Sequence, residues 1–132
     1  ARAHPIHAAL SRIARVRAAT PALQRGVQVM LELQGDRAAF YRVLQQGDTR
    51  QVALVLLNKG DAPQRFAIDA MLDAGNWRSA LDGSTQRVAA GGALTATVPA
   101  HGAQVFVRDG AVAHPGLLAA LDAAMVEARR PR

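Results

Sequence analysis

The 132 residues contain no cysteine, which excludes disulfide staples, zinc ribbons and thiol nucleophiles. Lysine is almost absent as well: Lys59 stands alone, so fifteen of the sixteen basic residues are arginine. Aromatics are few, namely Phe40, Tyr41, Phe66, Trp77 and Phe106, and alanine and valine are left to carry the core. No apolar run approaches the ~20 residues that a membrane-spanning helix needs, so no membrane partner is expected. The chain as given opens on no leader-like segment.

Half of the residues are apolar and a fifth are charged, an ordinary globular balance. The length suits one domain with a real core. The formal charge is +6, and a basic excess can mark a nucleic-acid partner. Here the arginines are scattered from Arg2 to Arg132. They gather only at Arg12, Arg15 and Arg17 and at Arg129, Arg130 and Arg132, with no interleaved exposed rings. That pattern is a solvated surface, and no nucleic-acid partner is expected.

Periodicity divides the chain. Ile6, Leu10, Ile13 and Arg17 recur at helical spacing, with Ala9 and Val16 flanking the apolar stripe, and predict a helix over residues 5–19. Pro5 suits its first turn, and Thr20-Pro21 stops it, because the residue before a proline is pushed out of the helical region. From Val27 the period becomes two, through Val29, Leu31 and Leu33. Gly35-Asp36 reads as a tight turn, followed by a strand from Ala38 to Gln45, a turn at Gly47-Asp48 and a third strand, "QVALVLLN". Val52 to Leu57 is apolar throughout, which predicts a strand covered on both faces. Further short strands follow at Arg65–Ile68, Trp77–Leu81, Gln86–Ala89, "ALTATV" and "AQVFVRD". About eight strands at roughly ten-residue spacing predict a mainly β fold, an antiparallel β-sandwich with an N-terminal and a C-terminal α-helix. The C-terminal helix starts at Pro115, with Leu118, Leu121 and Met125 as its apolar stripe and Asp122, Glu127 and Arg129 off it. The expected units are residues 1–26 (helix and exit loop), 27–109 (sandwich) and 110–132 (helix).

Little of this carries chemistry. His4 and His7 sit three apart, but no third or fourth metal ligand lies near them in sequence. Ser11, Ser79 and Ser84 lack a nucleophile-elbow context. No phosphate-binding glycine loop is present. Asp36, Asp48, Asp82 and Asp109 each flank a glycine and read as turn residues. Glu32 lies on the polar face of a strand, and no carboxylate sits in an apolar segment that would raise its pKa. No catalytic pair, metal or cofactor is expected. Trp77 in "GNWRSALDG" is the one large ring that could serve as a sugar platform, with Tyr41 a similar case. The usual place of such rings is the core.

Four motifs in order resemble glycoside hydrolase family 13, the α-amylase family. "RVRAATPALQRG" resembles its final barrel helix and exit loop, through Ile13, Val16, Arg17, Pro21, Ala22, Leu23 and Gly26. "VALVLLNKGDAPQRFAID" is similar to a strand of that family's C-terminal domain, with an apolar run into Leu57-Asn58, a polar turn and Phe66. "GNWRSALDG" is similar to the following segment through Gly75, Trp77, Leu81 and Gly83. "LTATVPAHGAQVFV" resembles the closing strands through Leu94, Val98, Pro99, His101, Gly102 and Val105. The helix from His114 has no counterpart in the resemblance.

The resemblance implies a non-catalytic C-terminal β domain, preceded by the last helix of a (β/α) barrel on the same polypeptide. That barrel would be the partner, acting on α-glucans with retention through two carboxylates. None of the family's catalytic acids maps onto this sequence. A secreted parent enzyme would place the domain in the periplasm or outside the cell. Apart from its barrel, the domain would show apolar surface and could pair as a homodimer. Two other readings stay open: a maltooligosaccharide-binding module using Trp77 or Tyr41, and a stand-alone interaction domain using its terminal helices.

Overall fold

Two glycine-led hairpins start the sheet. In the computed structural model, which describes residues 11 and 14–129, Gly35 (φ 58°) and Gly47 (φ 55°) take up the left-handed conformation that a two-residue loop of the II′ kind needs at its first position. They join β1 (Val27–Gln34), β2 (Arg37–Gln46) and β3 (Thr49–Asn58) into an antiparallel meander. The chain continues through β4 (Gln64–Ile68), β5 (Gly75–Ser79), β6 (Thr85–Val88), β7 (Leu94–Val98) and β8 (Gly102–Asp109). Strand β8 inserts between β3 and β5, giving a six-stranded sheet in the order β1-β2-β3-β8-β5-β6. Strands β4 and β7 pair as a separate two-stranded sheet.

The expectation of a mainly β, antiparallel, sandwich-like fold is met, with layers of unequal width. One face of the large sheet buries Ala39, Tyr41, Val43, Val52, Leu54, Leu56, Trp77 and Phe106. Phe66, Ile68, Leu94 and Val98 of the small sheet close part of this inner face. The rest is closed by a helix, here α3, spanning Pro115–Arg129. Its Leu117 and Leu121 join the same core, and it packs on β1. The stripe expected at Leu118 is corrected: Leu117 is fully buried and Leu118 is exposed. The helix starts at Pro115 as expected, and Leu117, Leu121 and Met125, four residues apart, form the stripe that meets the core. Glu127 and Arg129 lie beyond the described side chains.

The outer face is covered by other elements. Residues 14–19 form helix α1. The part of the predicted helix at residues 5–10, 12 and 13 lies outside the described residues. Thr20 ends α1 as expected. The exit loop, however, is a second helix, α2 (Pro21–Arg25), with its proline at the first turn, where the missing N–H costs nothing. Val16, Ala22 and Leu23 pack on Leu44, Ala53, Val55, Val105 and Val107. Strand β3 is therefore buried on both sides from Gln51 to Leu56, as its unbroken apolar run predicts.

Strand β5 stops at Ser79, two residues short of the expected Leu81. The Ser79 Oγ accepts from the Leu81 and Asp82 amides, and the Gly83 amide donates to the Ser79 carbonyl. A hydroxyl that answers nearby amides offers the chain a turn in place of the ladder.

Candidate functional site

The two candidate sugar platforms are core residues. Trp77 and Tyr41 are both fully buried, with ring centroids 6.4 Å apart. Trp77 Nε1 donates to the Asp73 carbonyl at 2.9 Å, and the Tyr41 hydroxyl donates to the Ala70 carbonyl at 2.9 Å. Neither ring presents a face on which a sugar could stack. Burial, with Asp73 and Asp69 adding to it, pushes the Tyr41 phenol above its ordinary range.

His4 and His7 lie outside the described residues. Among the described residues, no three His, Asp or Glu side chains gather as a metal site would require. The His101 side chain pairs with Asp61, Nε2 to Oδ1 at 2.8 Å, and Asp61 is almost wholly exposed. No described helix is long and apolar enough to cross a membrane.

Two buried polar residues hold the loops: Asp73, which sequence reading passed over, and Asn58, noted there only as part of a motif. Asp73 accepts from the Ala113 and His114 amides and stands 3.9 Å from the Arg108 guanidinium. Arg108 in turn donates to the Ala74 and Ala111 carbonyls. This clamp fixes the approach of α3 to the core. Asn58 is fully buried at the end of β3. Its Nδ2 reaches the Ala62, Val98 and Pro99 carbonyls, and its Oδ1 accepts from the Gly60 amide. One amide side chain thus ties two loops together, which only a residue with both donors and an acceptor can do. The Leu57-Asn58 motif marks it in sequence, while Asp73 carries no local signal.

The outer face of the large sheet is the feature most suited to a macromolecular partner. Beyond the part covered by α1 and α2, Phe40, Leu57, Ala80 and Leu81 are only partly buried against it. On the edge strand β1, Met30 is cross-strand from Phe40 and Leu33 from Ala38. Met30 is 46% exposed and Leu33 is 74% exposed. The band runs from Met30 and Leu33 across Phe40 and Leu57 to Leu81. Contiguous apolar surface of this kind marks an interaction face more often than a chance exposure.

No family model matches the chain, and no curated protein matches it. Solved structures do. An Anoxybacillus α-amylase aligns over 79% of this chain with a TM-score of 0.61 and 21% identity. The α-amylase of Geobacillus thermoleovorans, solved with acarbose, aligns over 81% with a TM-score of 0.63 and 22% identity. AmyP, solved with maltose, aligns over 74% with a TM-score of 0.57 and 18% identity. The chain spans only 22% and 24% of the lengths of the first two. At such identities the likeness is one of fold. The resemblance drawn from the motifs is met at that level: this chain has the fold of a β portion of α-amylase structures.

Proposed function

We propose that this chain is an accessory, non-catalytic β domain of an α-amylase-type enzyme acting on α-glucans. The carrying observation is the fold match, which takes in most of this chain and about a quarter of each α-amylase chain. The described residues offer no acid pair set apart for glycoside hydrolysis: Asp73 is engaged by backbone amides and Glu32 by Arg37. The chemistry belongs to a (β/α) barrel preceding this domain on the same polypeptide, where the two carboxylates of such enzymes reside. The parent is an amylase, a maltodextrin hydrolase or a cyclomaltodextrin glucanotransferase.

In this reading the outer face is the docking face. Helices α1 and α2 lie on the sheet as the link from the barrel, and the apolar band beside them seats on barrel surface. The domain shields that surface and stabilises the barrel. The deciding experiment is an immunoblot of the native product with an antibody raised to this domain. A barrel adds at least about 250 residues, so a product several times 13.9 kDa supports the reading. A product no larger than this chain overturns it.

A further inference from the structure

Among the described residues, the two sheets have four edge strands, β1 and β6 in one and β4 and β7 in the other. A free edge is a row of unpaired backbone donors and acceptors, ready to pair with another strand. Three of the four are answered or cut short. On β4 the Arg65 carbonyl accepts from the Arg37 guanidinium at 2.9 Å. On β7 both backbone groups of Thr95 are taken by one side chain: the Gln86 amide donates to the carbonyl and accepts from the N–H. Strand β6 is four residues long and carries the exposed Arg87.

Strand β1 differs on every count. It runs for eight residues, VQVMLELQ, with neither proline nor glycine. Its one charge, Glu32, is turned to Arg37 of the same chain at 2.9 Å, so no free charge guards the edge. Helix α3 meets β1 from the inner face, where Val29 joins Leu117 and Leu121 in the core. Among the described residues, the hydrogen bonds of the β1 backbone are those of its ladder with β2.

The bulge between Met30 and Glu32 decides what this edge matches. Residues three apart on a regular strand point to opposite faces. Here Met30, across from Phe40, and Leu33, across from Ala38, both stand on the outer face. Val29, across from Tyr41, and Gln34, across from Arg37, both stand on the inner one. An antiparallel copy of the same strand therefore fits in one register. Met30 of each copy faces Leu33 of the other, Val29 faces Gln34, and every pair keeps to one side of the sheet. A two-fold axis between Leu31 and Glu32 generates this register, and such an isologous contact closes as a dimer.

We propose that β1 pairs edge to edge, antiparallel, with β1 of a second copy of this chain in that register, joining the two six-stranded sheets into one. The pairing uses the rim of the sheet. It leaves the outer face to the docking reading above and does not rest on it.

The chain has no cysteine, so introduced thiols report the register. Met30→Cys and Leu33→Cys are prepared as separate variants of this chain. Mixed and gently oxidised, they form a disulfide-linked dimer, because directly opposed Cβ atoms come within bonding reach. Neither variant does so alone, since each position is offset from its own copy. Sedimentation of the wild type shows a concentration-dependent dimer. Leu33→Lys, at an exposed position, weakens it by about tenfold or more, and Leu81→Lys, at the far end of the outer band, leaves it unchanged. A wild type that stays monomeric at the highest concentration reached overturns the proposal, as does a dimer that Leu33→Lys leaves intact. Equal weakening by Leu81→Lys assigns the association to the outer face and also overturns it. So does cross-linking of either cysteine variant alone to the extent seen in the mixture. Where the native product is longer, the same sedimentation is run on it. A monomer there overturns the edge pairing and leaves the docking reading standing.

Discussion

On the inner face of the six-stranded sheet, Trp77 and Tyr41 are fully buried and each polar tip has a carbonyl to donate to. On the outer face, Phe40 and Leu57 are half-covered, Met30 and Leu33 are open, and the Arg42 Nε has no hydrogen-bond partner among the described residues. The same strands build both faces, and β3 contributes apolar residues to each. The chain finishes its inner face with its own β4, β7 and α3. Among the described residues, α1 and α2 cover the outer one only in part. A face that the chain completes carries its stability, whereas one left partly apolar and unpaired is suited to another surface.

Substitutions should separate the two faces. Trp77→Ala removes the largest ring of the inner core and should cost about 3–5 kcal/mol, enough to unfold a domain of ordinary stability; chemical denaturation measures it. Asp73→Ala should cost roughly 2–3 kcal/mol, because it leaves the Ala113 and His114 amides without their acceptor. Hydrogen exchange should then show α3 opening ahead of the sheet, and uniform loss across the molecule would refute the clamp.

Tyr41 gives a pH test. Its folded pKa is raised, so the neutral phenol's contribution is complete below the unfolded value of about 10 and is lost as pH rises beyond it. Tyr41→Phe should cost about 1 kcal/mol at neutral pH and flatten the loss of stability above pH ~10. The smallest effect is expected outside. Leu33→Lys, on the open edge, should change the stability of this chain by no more than about 0.5 kcal/mol while reducing any self-association seen by sedimentation. A large destabilisation would mean that the outer face belongs to the fold as fully as the inner one.

Period and turn chemistry made much of this fold legible in sequence. The hairpins at Gly35-Asp36 and Gly47-Asp48 and the doubly covered β3 follow from local pattern alone. Strand β5 ran short because the Ser79 hydroxyl draws the chain into a turn, a competition that the apolar pattern of "WRSAL" does not reveal. The exit loop was a helix because Pro21 both ends one helix and starts the next. That α3 seats Leu117 and not Leu118 is set by its packing on β1 and by the Asp73 clamp on Ala113 and His114, contacts far apart in sequence. The candidate face was legible only as the doubly apolar β3. Arg42 carries no mark among fifteen scattered arginines, since pattern alone does not show that its Nε lacks a partner among the described residues.

The position of β8 also sets an order of events. Its ladder with β3 joins Gln51 to Asp109 and Asn58 to Gly102, so the middle of the sheet cannot close until the intervening strands have been made. Strands β1 to β3 pair locally through short loops and are free to form early, because their loop-closure entropy is small. Their inner apolar residues then wait for β8 and finally for Leu117 and Leu121 of α3. On a ribosome delivering residues in sequence, this domain holds an uncovered hydrophobic meander until almost its last helix has emerged. Slowing synthesis after Asp109 should therefore raise its demand for chaperones more than slowing it anywhere in the first hairpin.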